Sequence, residues 1–315
     1  MDTGEIKGLA KKPGRDVYGM VLAELGEENE NLVVLGADTM GSCRTTAFQK
    51  KFPHRTFNVG IAESNMVGIA AGLATCGKLP FVNTFGFLLT LRACEQVRTD
   101  VCYPKLNVKF VTSMFGLIAG AGGPTHHSVE DLAIMRSLPN MTVVEAADGF
   151  EVLKATRAAA QHIGPLYLRV GRDAVPVYDK DYDFRIGQGI ILREGRDGTL
   201  IACGIMVSRA LTAAEELKKK KIDVRVINMH TLKPLDRGKV IEAGKRKVIV
   251  TAEEHNIIGG LGSAVAEVVA EEGLKARVKR IGIPDTFCGI GPTDELREKH
   301  GLTSGAIVDA VLETM

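Results

Sequence analysis

Short apolar runs alternate with longer segments whose apolar positions recur every three or four residues, and this continues along nearly the whole chain. The runs Leu32–Leu35, Pro80–Thr84, Val108–Thr112, Thr142–Glu145 and Leu166–Val170 read as strands, followed by Gly189–Leu192, Leu200–Cys203, Val224–Asn228 and Val248–Thr251. They are apolar on both faces, which suits the buried interior of a parallel sheet. Between them, Val17–Glu24, Glu63–Thr75, Arg92–Cys102, Gly149–His162, Ser208–Lys219, Ser263–Glu272 and Ser304–Glu313 read as helices. Alternation at this spacing implies crossover units, and so an α/β architecture with helices on both sheet faces. Periodicity weakens over Gly171–Gly187, a stretch of charges, Tyr and Pro, which sets a predicted boundary between domains at 1–185 and 186–315.

The length of 315 residues agrees with that division, at roughly 150 residues per domain. Forty Lys and Arg against 38 Asp and Glu leave a net charge of +2, without a long block of either sign. That balance argues against a nucleic-acid clamp and against a binder of anionic membranes, both of which need a basic surplus. The six cysteines are scattered, with no C-x-x-C and no His/Cys run at zinc spacing, as expected for reduced thiols in a cytosolic enzyme. The polar N-terminus has no signal-peptide core, and no apolar stretch approaches the roughly 20 residues of a membrane span. The expectation is a cytoplasmic globular protein.

Four segments are candidates for chemistry. Gly259–Gly262 follows a strand and opens a helix, but a G-x-G-x-x-G fingerprint counted from Gly260 would need Gly at position 265, which is Val265. A tight strand-to-helix turn is the favoured reading. Gly120–Pro124 is glycine-rich but has no following Gly-Lys-Ser/Thr, so nothing supports ATP binding. In Asn58–Gly72 (NVGIAESNMVGIAAG), Glu63 stands at a helix start, where a carboxylate is favourable for the helix dipole alone. The small residues Gly68, Ala70, Ala71 and Gly72 permit close approach of another element, as in a subunit interface. In Gly123–Arg136 (GPTHHSVEDLAIMR), His126 and His127 suit acid or base work on a substrate-facing loop better than metal binding. Glu130 and Asp131 are expected to be the solvated first turn of the next helix.

Taken together, ADTMGS, FNVGIAESNMVGIAAGLA, PFVNTF and GGPTHHSVEDLAIMRSLPNMTVVEAADGFEV resemble the C-terminal half of transketolase, and INMHTLKPLD and VTAEEHNIIGGLGSAVAEVV continue the match. The resemblance runs from about Lys12 to near the C-terminus. The PTHHSVEDLAIMRSLPNM run sets the chain apart from the β subunits of 2-oxoacid dehydrogenases, which share the pyrimidine-domain layout. The resemblance implies an α/β fold of two domains: a thiamine-diphosphate-binding pyrimidine domain with a parallel sheet flanked by helices, and a transketolase C-terminal domain.

Carried over residue by residue, the resemblance implies that Glu63 hydrogen-bonds N1′ of the aminopyrimidine of thiamine diphosphate, the role on which catalysis depends. Thr84-Phe85 matches the family Thr-Phe whose ring stacks on that pyrimidine. The aromatics that follow in the family fall on Leu88 and Leu91, with Phe87 as a partial replacement. Asp38 matches an acidic residue near the cofactor. Arg15, Ser42 and Arg172 match positions that hold the terminal phosphate of a sugar, a task suited to guanidinium groups. His126 matches a catalytic, substrate-channel histidine after Pro-Thr. Two positions depart from the family: Met114 replaces a substrate-binding His, and Gly122 replaces an Asp that contacts a sugar hydroxyl. Loss of those polar partners is expected to weaken discrimination for the usual ketose phosphates.

No Gly-Asp-Gly, the family motif for magnesium and diphosphate, occurs in the chain. The resemblance therefore implies the pyrimidine-binding subunit of a split transketolase, inactive without an N-terminal diphosphate-binding subunit that holds Mg (or Ca). It also implies homodimerisation through the pyrimidine subunit and an α2β2 heterotetramer, with sugar phosphates as substrates. Two rivals stay open at this point. One is a 1-deoxyxylulose-phosphate-type or other carboligase subunit with a 2-oxoacid donor. The other is a non-catalytic regulatory paralogue.

Overall fold

The computed structural model describes all residues, Met1–Met315, which pack as two compact units. The first comprises Met1–Phe115 and Ile134–Ile186; the second comprises Gly116–Ala133 and Gly187–Met315.

In the first unit, strands β1 (Leu32–Gly36), β2 (Thr56–Asn58), β3 (Leu79–Asn83), β4 (Lys109–Thr112), β5 (Thr142–Glu145) and β6 (Leu166–Arg169) line up in the order β5-β6-β4-β3-β1-β2. Every neighbouring pair among them is parallel. All but β2 are buried along their whole length, which is why they read as continuous apolar runs. Helices α1 (Thr3–Ala10), α2 (Gly14–Glu28), α3 (Thr46–Lys51) and α4 (Glu63–Thr75) precede an irregular helical stretch. The periodicity of Arg92–Cys102 predicts one α-helix, whereas the chain is π-helical over Leu88–Arg92 and Val97–Cys102, with only α5 (Cys94–Gln96) between. Helices α6 (Asp131–Ser137) and α7 (Gly149–Gln161) follow. Val17, Leu22, Phe48, Phe81, Val111 and Leu168 are among the buried side chains of one core that spans α2, α3 and the sheet.

The second unit contains β7 (Ile190–Arg193), β8 (Gly198–Ala202), β9 (Val224–Asn228), β10 (Thr231–Lys233), β11 (Val248–Asn256) and β12 (Arg277–Ile283). Five of these form a sheet in the order β12-β11-β8-β9-β7, parallel except for β7 against β9. Helices α8 (Met206–Lys219), α9 (Arg237–Gly244), α10 (Leu261–Glu271), α11 (Thr293–Lys299) and α12 (Ser304–Thr314) complete it. All six cysteines are free thiols, and no helix is long and apolar enough to cross a membrane.

Candidate functional site

In the first unit the chain lays down β1, places β2 on one side of it and then β3 on the other. The crevice beyond the C-terminal ends of β1 and β3 is thus a topological switch point, where open α/β sheets bind ligands. Asn83 ties the two strand ends together. Its Nδ2 donates to the Leu35 carbonyl at 3.3 Å, its Oδ1 accepts from the Tyr18 hydroxyl at 2.5 Å, and its carbonyl accepts from Thr39 Oγ1 at 3.1 Å.

Glu63 is the first residue of α4 and only 3% exposed. Arg92 Nη1 lies 3.5 Å from its Oε2, whereas its Oε1 is buried without a hydrogen-bond partner. No side chain caps this helix start, so the carboxylate sits at the positive end of the dipole without spending its hydrogen-bonding capacity on the backbone. A buried acceptor with no donor is costly and calls for a ligand N–H or water.

Phe85 follows β3 and is half-buried, its ring centroid 6.3 Å from that of Phe87. Leu88 is buried, but Leu91 is 54% exposed, so the two leucines do not share an environment. Asp38 is exposed, with φ at +59°, and is tied to Asn58. Its N–H donates to Asn58 Oδ1 at 2.9 Å, and Asn58 Nδ2 lies 3.4 Å from its carboxylate.

The predicted anion residues also converge within this unit. The Arg15 N–H donates to the Gly171 carbonyl at 2.9 Å, which brings the start of α2 beside the end of β6. Arg15 Nη1 lies 3.4 Å from the Ser42 carbonyl, Ser113 Oγ lies 3.3 Å from the same oxygen, and Arg172 Nε donates to the Ser113 carbonyl at 3.0 Å. Ser42 thus enters this network through its backbone oxygen. Arg15 Nε and Arg172 Nη2 are buried without hydrogen-bond partners, although Arg15 Nε stands 4.0 Å from Asp16 Oδ1. Burial depresses both guanidinium pKa values, and repulsion adds to it, from Arg44 on Arg15 and from Arg15 and Arg44 on Arg172. The adjacent carboxylate, Asp16, is engaged by Arg44 Nε at 2.6 Å. Burial pushes the Cys43 thiol up, so it contributes no negative charge at neutral pH. Arg15 and Arg44 share the Asp16 carboxylate, which holds Arg44 closely and Arg15 at 4.0 Å.

Sequence reasoning missed Arg44, Arg92, Asn83 and Ser113. Arg44 stands two residues after Ser42 and was the most accessible of these; the others reveal themselves only through tertiary contacts.

In the second unit, His126 is exposed, its Nδ1 2.9 Å from Thr125 Oγ1. His127 is buried, and desolvation lowers its imidazole pKa. The expectation of a solvated Glu130-Asp131 turn is corrected here: Asp131 is fully buried at the start of α6, because Val129 and Ala133 on either side are bound to the end of β11. No group of three His, Cys, Asp or Glu is arranged to hold a metal ion.

The glycine turn before α10 also has a physical explanation. Glu253 accepts from the N–H groups of Leu261 and Gly262 at 2.6 and 2.8 Å, filling the helix N-terminus where a phosphate would sit. A Cβ at position 260 would fall 1.9 Å from Glu253 Oε2, which requires Gly260.

Fold and side chains together describe a two-domain α/β protein with a topological switch point in its first unit. Residues 11–177 match the family model of the transketolase pyrimidine binding domain, and residues 187–307 match that of the transketolase C-terminal domain. A putative transketolase C-terminal section from Methanocaldococcus jannaschii is 45% identical, over 99% of this chain and 98% of that protein. The 6-deoxy-6-sulfo-D-fructose transketolase subunit SqwH from a Clostridium species is 43% identical, over 95% of this chain and 93% of that protein. A solved split-gene transketolase, described as an inactive beta4 tetramer, superposes with a TM-score of 0.89 at 46% identity, covering 96% of this chain and 98% of the other. The chain belongs to the transketolase family and carries its pyrimidine-binding and C-terminal domains.

Proposed function

We propose that this chain is the pyrimidine-binding subunit of a heteromeric, thiamine-diphosphate-dependent transketolase that moves a two-carbon ketol unit from an anionic ketose to an aldose acceptor. The reading rests above all on the unpartnered Oε1 of Glu63, a buried acceptor at the switch point of a parallel sheet. Glu63 fits the pyrimidine of thiamine diphosphate, because an N–H at N1′ would satisfy the orphaned oxygen. When bound, the cofactor supplies a nucleophilic carbon and an electron sink. Glu63 would hold the proton at N1′, half-buried Phe85 would offer a ring face to the pyrimidine, buried Leu88 would pack beside it, and Asp38, just beyond the end of β1, would be a further cofactor-binding group.

Arg15 and Arg172 grip the terminal anion of the sugar through guanidinium N–H groups that have no hydrogen-bond acceptor within the chain, and the Ser42 hydroxyl, which takes no part in the arginine network, adds a third donor. His126 exchanges a proton with, or hydrogen-bonds, a substrate oxygen. The diphosphate and its Mg (or Ca) belong to a separate N-terminal subunit, with which this chain forms an α2β2 heterotetramer built on a dimer of pyrimidine subunits; alone it does not turn over. The beta4 assembly of the solved relative supports a self-associating subunit that needs another chain.

Co-expression with a diphosphate-binding partner, followed by assays for aldehyde release from ketose phosphates, tests this reading. Glu63→Ala should abolish turnover and leave the assembled mass unchanged. Full activity in that variant would overturn the cofactor assignment, and turnover by the isolated chain would overturn the split enzyme. Carbon dioxide released from pyruvate would replace the ketol reading with a 2-oxoacid donor.

A further inference from the structure

The segment Gly116–Ala133, which carries His126 and His127, packs with residues 187–315 rather than with the sheet that precedes it in sequence. Its stem is closed by Gly116 N–H donating to the Ser128 carbonyl at 2.6 Å, with the reverse bond at 3.3 Å. At one side of this stem the Leu117 N–H donates to Glu254 Oε1 at 2.7 Å. Glu254 is fully buried, and its other oxygen receives Arg297 Nε at 2.9 Å and Nη2 at 2.8 Å. Gly116 has φ +53°, and a Cβ there would lie 2.6 Å from Glu254 Oε1, so backbone and carboxylate meet without room for a side chain. On the other side, the Asn256 N–H donates to the Val129 carbonyl at 2.7 Å, and the Ala133 N–H to His255 Nε2 at 3.3 Å.

A buried ion pair is weak support for stability, since well-packed apolar residues often serve as well. Charge is useful here because Leu117 presents a buried N–H that needs an acceptor, and the Arg297 fork fixes where that acceptor stands. We propose that Glu254 and Arg297, from the C-terminal domain, are positioning residues that set the place of His126. The inference rests on the substrate role given to His126 above, and it gives the C-terminal domain a part in the reaction beyond assembly.

The test uses the full chain reconstituted with its partner. Glu254→Gln removes the charge and keeps the volume, whereas Arg297→Lys keeps the charge and loses the fork. Expected for Glu254→Gln is a kcat lowered about tenfold with KM within about twofold, and no further loss when the change is made in a His126→Asn background. Equal losses in both backgrounds would overturn the proposal, because a purely structural pair acts independently of His126. Hydrogen exchange provides a readout without activity: the Leu117 amide should exchange at least about tenfold faster in Glu254→Gln, with the β8 and β9 amides unchanged. Unaltered exchange at Leu117 would also overturn it. If Glu254→Gln does not fold, Arg297→Lys is carried through the same measurements, with smaller shifts in the same direction. A reconstituted parent with no turnover would count against the function proposed above, and the exchange result would still decide this inference.

Discussion

Glu63 faces Arg92 across 3.5 Å with one carboxylate oxygen and leaves the other buried and unpartnered. The single contact comes from a side chain that is itself 56% exposed, so the ion pair is a weak tether, screened by solvent. The arrangement keeps the carboxylate in place while reserving its inner oxygen.

That reservation predicts a division of effects. In the reconstituted enzyme, Glu63→Gln should lower kcat by about 10²–10³-fold, the range expected for loss of a positioned proton partner. Arg92→Ala should cost less than about tenfold, since an exposed pair is worth at most about 1 kcal/mol. Steady-state kinetics and titration calorimetry with thiamine diphosphate check both.

The arginine cluster predicts anion selectivity. Removal of one charge-assisted contact by Arg172→Ala should raise KM for a phosphorylated ketose about 10- to 100-fold, equivalent to about 1.5–3 kcal/mol. KM for the unphosphorylated sugar should change little, and inorganic sulfate should compete with substrate in the parent but not in the variant. Comparison of the two sugars in parallel checks this.

Gly122 predicts an asymmetric outcome for restoring family residues. A Cβ at position 122 would meet the Cβ of His126 at 2.9 Å, so Gly122→Asp must displace the histidine it sits beside. Expected is a lower kcat/KM on ketose phosphates, not recovered discrimination. Met114 is half-buried and serves the fold through its carbonyl, which accepts from Gly86 N–H and from Thr112 Oγ1. Met114→His keeps those bonds and should be tolerated; kcat/KM ratios across a donor panel distinguish the two variants.

His230 predicts acid sensitivity. It is fully buried, and desolvation lowers its pKa from 6.5 to about 4. Between those values the unfolded chain binds a proton that the folded chain refuses, so stability rises with pH from about 4 to about 6.5 and is lost on acidification. The contribution amounts to roughly 3 kcal/mol. His127, His162 and His300 have lowered values and act in the same direction, whereas Asp148, raised by burial to about 6, opposes them. Denaturant unfolding of the parent and of His230→Gln at several pH values isolates the His230 part as a difference that grows toward neutrality.

Much of the fold could be read from the chain. The buried strands β1, β5 and β9 and helix α4 match their predicted spans within a residue, because continuous apolar runs and clean termini leave little choice. The elements that escaped are short or lie at edges. In β12, Arg277, Lys279 and Arg280 are exposed on an outer strand, where charge protects the edge and hides the strand pattern. Helix α1 is only eight residues long and is held by a capping box between Asp2 and Glu5. The predicted helix at Arg92–Cys102 gives way to π-turns, which periodicity does not encode.

The sequence by itself determined the α/β class and the transketolase family, and it singled out Glu63, Arg15 and Arg172 as candidates, because family motifs and apolar runs are local properties. Only the tertiary structure decided that Glu63 keeps one oxygen unpartnered, that Arg15 Nε and Arg172 Nη2 are buried without a hydrogen-bond acceptor, and that the His126 loop is held by Glu254 and Arg297. Those relations depend on burial and on contacts between residues far apart in the chain. Desolvation and unsatisfied hydrogen bonds arise only once the chain has folded around them.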